Sequence, residues 1–159
     1  MKRLIFGVLV VCVSFAGRMA AVPQSPAAGQ PQGAPNFSGT WITTSPQSGV
    51  GQVLEIKQDW KAVSLTHDGG PAGHATVYPL DGSTLTSETA THGQKIPVRT
   101  RARWDGESLV LTMTWTIANV TTTARQTLVL DEKGQLRYNS TELVDGRAPK
   151  TTEATLVRR

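Results

Sequence analysis

The chain has 159 residues, a formal charge of +4 and an apolar fraction of 38%, enough for one domain with one modest core. Lys2, Arg3 and Arg18 carry most of the excess charge; without them 13 Lys and Arg face 12 Asp and Glu. The overall balance therefore gives no support to nucleic-acid binding.

The first segment, "MKRLIFGVLVVCVSFAGRMA", has a basic start, an apolar run from Leu4 to Phe15 and small residues after it. That is the layout of a secretory signal peptide, and the run is short for a bilayer span, which takes roughly 20 apolar residues. Residues 1–21 are therefore expected to be a signal peptide, cut after Ala16 or Ala21, and the mature protein to be secreted or periplasmic with no membrane span. Cys12 is the one cysteine. It lies inside the apolar run and follows Val11, which argues against a lipid anchor. Cleavage downstream of it leaves no thiol for disulfide or thiolate chemistry.

Residues 22–35 are rich in Pro, Gln, Gly and Ala and lack apolar periodicity. They read as a disordered linker. From residue 36 to 159 the period is two. "GTWITT" opens the series, followed by "QVLEIKQ", "KAVSLTH", "HATVYPL" and "STLTS". "PVRTRARW", "SLVLTMTWTI", "VTTTARQTLVL", "QLRYNSTEL" and "KTTEATLVRR" complete it. Thr and Val are frequent, as in strands. Turn signals separate the runs at Asp59-Trp60, Asp68-Gly69-Gly70-Pro71, Asp81-Gly82, Asp105-Gly106, Asp131 to Gly134, and Asp145-Gly146. Asp-Gly between alternating runs marks a hairpin, because glycine accepts the positive φ of a tight turn.

About eight to ten strands joined by hairpins imply an all-β, antiparallel up-and-down meander. Closing it into a barrel removes exposed edges. A sandwich is the second choice, because its crossovers usually need longer connections. In a closed meander the first and last strands are neighbours. Trp41 is then expected to plug one end, Arg158 to stack on its ring, and Gly39 to let the entering chain pass close by.

The triplet "GTW" at the start of such a barrel resembles the G-x-W signature of the lipocalin and calycin superfamily. "NFSGTW", "YPLDGS", "RARWDGESLVLT", "LVLDEKGQL" and "VRR" are similar to small secreted lipocalin-like proteins of bacteria. The resemblance spans residues 36–159. It implies an eight-stranded lipocalin-like barrel, with room for extra short strands and with Gly39, Trp41 and Arg158 as structural closure residues, and it transfers no activity. The chain departs from many lipocalins in showing no C-terminal helix and no disulfides. Avidin-type barrels open on a similar triplet, but their ligand contacts are not evident here.

Reactive groups are sparse. His67 and His74 flank a hairpin and, with Asp68, suggest a weak metal site, but His92 lies in another loop. Ordinary loop histidines are the simpler reading, and no metal or cofactor is expected. Asp81, Asp105, Asp131 and Asp145 sit in turns, where Asp caps the backbone. Glu142 shares a face with Leu136 and Tyr138, and a barrel enzyme would rely on it or on His67. No nucleophile, metalloprotease or phosphate-loop motif occurs. The Asn-x-Ser/Thr triplets at Asn36, Asn119 and Asn139 are expected chance matches in a threonine-rich chain.

The inward phase contains Leu54, Ile56, Val63, Leu65, Trp104, Leu111, Met113, Trp115, Leu128, Leu130, Leu136, Tyr138 and Leu156, with Thr100, Thr122, Gln126 and Ser140 among them. An apolar wall with a few polar groups suits a small-molecule pocket. The same composition suits a plain core, and the sequence leaves both open. The small residues Ala102, Thr122, Ala124 and Ser140 favour some cavity. The expected function is non-catalytic binding of a small, mostly apolar ligand by a monomer. Trp104, Met113, Trp115 and Tyr138 would supply contact area, with Thr122, Gln126 and Ser140 as hydrogen-bonding groups. The alternative is a filled barrel that meets a cell-envelope partner through its outer face, with Arg99, Arg101 and Arg103 as the contact.

Overall fold

The period-two alternation becomes strand after strand. The computed structural model describes residues 31–44, 52–68, 75–91 and 94–159. The signal peptide expected over 1–21 with Cys12, the first part of the expected linker, Gly69-Gly70-Pro71, His74 and His92 lie outside the described residues. The strands are β1 (Gly39–Thr43), β2 (Val53–Gln58), β3 (Ala62–His67), β4 (Thr76–Pro79) and β5 (Leu85–Thr91). They continue as β6 (Gln94–Asp105), β7 (Ser108–Ile117), β8 (Val120–Leu130), β9 (Leu136–Val144) and β10 (Lys150–Arg158).

All pairings are antiparallel, in one sheet ordered β4-β3-β2-β1-β10-β9-β8-β7-β6-β5. The first and last strands are neighbours, with Trp41 opposite Arg158 and Thr43 opposite Leu156. The result is an all-β, ten-stranded up-and-down barrel with one unsealed seam. A single continuous sheet rules out the sandwich.

The seam falls between β4 and β5, which are consecutive in the chain. Pro79 ends β4 and has no N–H to offer a neighbour. In place of a ladder, Thr100 of β6 donates its hydroxyl to the Val77 carbonyl of β4 at 2.6 Å. That bond ties β4 to β6, the strand next to the β5 edge, at one level. Further along, toward Thr76 and Thr89, a cavity opens between the β4 and β5 edges.

Turn chemistry holds the register. Gly106 has φ of 60° at the first loop position between β6 and β7, the pattern of a type II′ turn. Between β7 and β8 the loop is Ala118-Asn119, with φ of 48° and 65°. Positive φ at both positions defines a type I′ turn, which suits the twist of the strands it joins. Asn adopts that conformation readily, whereas Ala does so at a cost of about 1 kcal/mol. The turn aspartates cap backbone amides. Asp59 Oδ1 accepts from Lys61 and Ala62 at 2.7 and 2.8 Å, and Asp131 Oδ1 accepts from Lys133 and Gln135 at 3.0 and 2.9 Å. Asp81 and Asp145 do the same for Ser83 and Thr121.

Inward residues form one continuous core that includes Leu54, Ile56, Val63, Leu65, Leu109, Leu111, Leu128, Leu136 and Leu156. Phe37, Tyr78 and Leu80 join it. Phe37 precedes the first strand, so periodicity gives it no phase. Tyr78 and Leu80 continue the Thr76 alternation of β4.

Candidate functional site

The two ends of the barrel differ. At one end the chain entering β1 folds across the opening. Phe37 is fully buried and stacks on Trp104, with ring centroids 6.2 Å apart. Its amide donates to Gln58 Oε1 at 3.0 Å, and Gln58 Nε2 donates to the Pro35 carbonyl at 3.2 Å. Trp41, also fully buried, donates from Nε1 to the Phe37 carbonyl at 2.8 Å. The Arg158 guanidinium lies 4.7 Å from the centre of the Trp41 ring and reaches the Asn36 carbonyl at 3.3 Å. Gly39 has φ of 142°, and a Cβ there would lie 3.3 Å from Arg158 Nε. Glycine thus serves both the backbone conformation and the close approach of arginine. Phe37, Trp41 and Trp104 thus fill this end.

Midway along the barrel, polar groups gather on the inner wall. Tyr78, Gln126 and Tyr138 are buried, and the Tyr78 hydroxyl lies 3.5 Å from Gln126 Oε1. Burial pushes the Tyr78 hydroxyl well above the ordinary phenol range, and neighbouring Tyr138 adds to that shift. Burial also raises Tyr138, countered in part by hydrogen bonds with Ser140 and Gln126. His67 meets the Tyr138 ring edge to face at 6.3 Å.

At the other end a cavity of about 490 Å³ lies between β3 to β7 and is lined by residues of both strands that flank the β4–β5 seam. That volume falls within the ~300–1,000 Å³ typical of small-molecule pockets. Leu65, Ile96, Val98, Met113, Trp115 and Ile117 supply its apolar wall. His67, Thr76, Ser87, Glu88 and Thr89 supply polar groups. Glu88 is held by Lys95 at 3.2 Å.

The residues expected to contact a ligand are distributed over all three regions. Met113 and Trp115 line the cavity and are half-buried. Thr122, Gln126, Tyr138 and Ser140 lie on β8 and β9, away from the cavity lining, and the last three belong to the mid-barrel cluster. Trp104 packs at the filled end, where its Nε1 is buried without a partner among the described residues. Ala102, Ala124, Thr122 and Ser140, the small inward residues, do not line the cavity. The β5 wall, with Leu85, Ser87 and Thr89, was visible in sequence only as the run "STLTS". Its role depends on where the seam falls.

Glu142 is exposed on the rim of β9, with Ala124 and Lys150 as its register partners. No group of three metal-ligating side chains occurs among the described residues. Arg99, Arg101 and Arg103 are exposed along the outer face of β6, and Arg103 lies 3.8 Å from Asp105. A second hollow of about 390 Å³ lies on the outer wall around Arg137, Asn139 and Glu153. There Asn139 donates to Glu153 at 2.8 Å and Arg137 to Asp131 at 3.1 Å, so its polar groups already satisfy one another.

These features define the class of molecule: a ten-stranded antiparallel meander barrel, filled at one end and hollow at the other. No family model matches the chain, and no curated protein matches it either.

Proposed function

We propose that the protein binds a small, mostly apolar molecule without transforming it, and that it does so in the cavity between the inner faces of β3 to β7. The observation that carries this reading is the cavity itself. A barrel built only as a scaffold gains stability by filling such a space, since each lost contact costs dispersion energy. Here half-buried Met113 and Trp115 face an apolar void of about 490 Å³. We place the activity outside the cytoplasm on the signal-peptide pattern of residues 1–21, in a lipocalin-like monomer.

Native mass spectrometry of protein taken gently from culture supernatant or periplasm tests the proposal. A stoichiometric adduct released by denaturation is the expected result. Trp115→Ala that left ligand affinity unchanged would count against the site.

A second reading rests on a different observation. The filled end leaves only the outer surface for contact there, and Arg99, Arg101 and Arg103 form an exposed basic strip. Partner binding through that strip would weaken steeply as salt rises.

A further inference from the structure

We infer that the ligand is an uncharged molecule with an aromatic or alkyl body, received sideways through the gap between β4 and β5. This rests on the cavity being the ligand site, as proposed above.

The charge argument comes from the lining. No Lys or Arg lines the cavity among the described residues, and its one carboxylate, Glu88, is paired with Lys95 at 3.2 Å. Arg99, Arg101 and Arg103 are exposed on the outer face of β6, whereas Ile96 and Val98 of the same strand line the cavity. An anion entering this space would lose water and find no Lys or Arg in the described lining, and a buried charge without a partner is strongly disfavoured. A cationic ligand would find its only carboxylate already paired. Uncharged ligands avoid both penalties.

The direction of entry follows from the seam. Val77 of β4 and Leu85 of β5 are 39% and 38% exposed although both line the cavity. These two edges are not hydrogen-bonded to each other in the sheet. The Thr100–Val77 bond ties β6 to β4 at one level, and the cavity lies against the same gap. The opening is therefore lateral, bounded by small side chains such as Thr76 and Ser87.

A matched pair of fluorescent probes tests this. N-phenyl-1-naphthylamine is uncharged, and 1-anilinonaphthalene-8-sulfonate is the same skeleton carrying a sulfonate. Each is titrated into the full chain at pH 8. The uncharged probe is expected to bind at least tenfold tighter, and Trp115→Ala to weaken it at least tenfold. Ser87→Lys places a cation on an exposed position of the β5 wall. It should tighten the sulfonate severalfold relative to the uncharged probe. Equal or tighter binding of the sulfonate to the unmodified chain overturns the inference, as does a Ser87→Lys variant with an unchanged ratio. Binding of neither probe, with folding confirmed by circular dichroism, overturns the cavity reading itself. Binding unaffected by Trp115→Ala places the probe elsewhere and overturns both.

Discussion

Trp41 and Trp115 stand on the inner faces of one barrel and have opposite fates. Trp41 is wholly buried, hydrogen-bonded through Nε1 and covered by Arg158. Trp115 is half-buried and borders an apolar cavity. The difference is set by what covers each ring. The chain before β1 crosses over Trp41, and Phe37 and Gln58 fasten it there. Nothing described crosses over Trp115, because β4 and β5 part beside it. One end of the molecule is built to be stable, and the other retains a space whose filling would add stability.

Several measurements would break or sharpen this contrast. Trp41→Ala should cost about 3–5 kcal/mol in urea unfolding, as for other buried tryptophans. Trp115→Ala should cost about 1–2 kcal/mol, because much of its ring is already outside the core. Equal costs would end the distinction between a filled and a hollow half. Thr100→Val removes the one described side-chain tie across the seam and leaves the Val77 carbonyl without that donor. It should cost about 1–3 kcal/mol. Amide exchange in β4 should accelerate more than in β1 or β10. Uniform acceleration would show that the seam has no separate mobility.

The buried tyrosines give a pH test. Tyr78 and Tyr138 have folded pKa values raised above the unfolded value of about 10. Their contribution to stability is complete below about pH 10 and is lost as pH rises through the folded values. Melting temperature should therefore fall above pH 10, and Tyr78→Phe should reduce that fall. An alkaline limb unchanged by the substitution would place its origin elsewhere. The smallest effect has the opposite sign. Ala118→Gly relieves the left-handed backbone at the β7–β8 turn and should stabilise by about 0.5–1 kcal/mol. A loss of stability would show that Ala118 is not strained.

Much of the architecture was legible because strand alternation is local. The inward phases of β2, β3, β7, β8, β9 and β10 follow directly from their residues. The Gly39, Trp41 and Arg158 arrangement was readable for another reason: a closed meander must bring its first and last strands together. The Ala118-Asn119 turn was passed over because it lacks glycine, although Asn119 carried a signal. The site was less legible. Met113, Trp115, Gln126 and Tyr138 look alike by periodicity, each an inward residue of a long strand. Only the first two line the cavity.

The sequence by itself determined the strands, the turns marked by Asp and Gly, the faces and the order around the sheet. These depend on residues close in the chain: alternation sets the face, and Asp and Gly set the turns. The tertiary structure alone decided where the barrel fails to close and which inward residues meet a void. Pro79 marks a weak edge, but a gap exists only when two edges are brought side by side without a ladder, with one bond reaching from β6 to β4 past it. An absence of packing belongs to no residue, so no residue pattern could announce it.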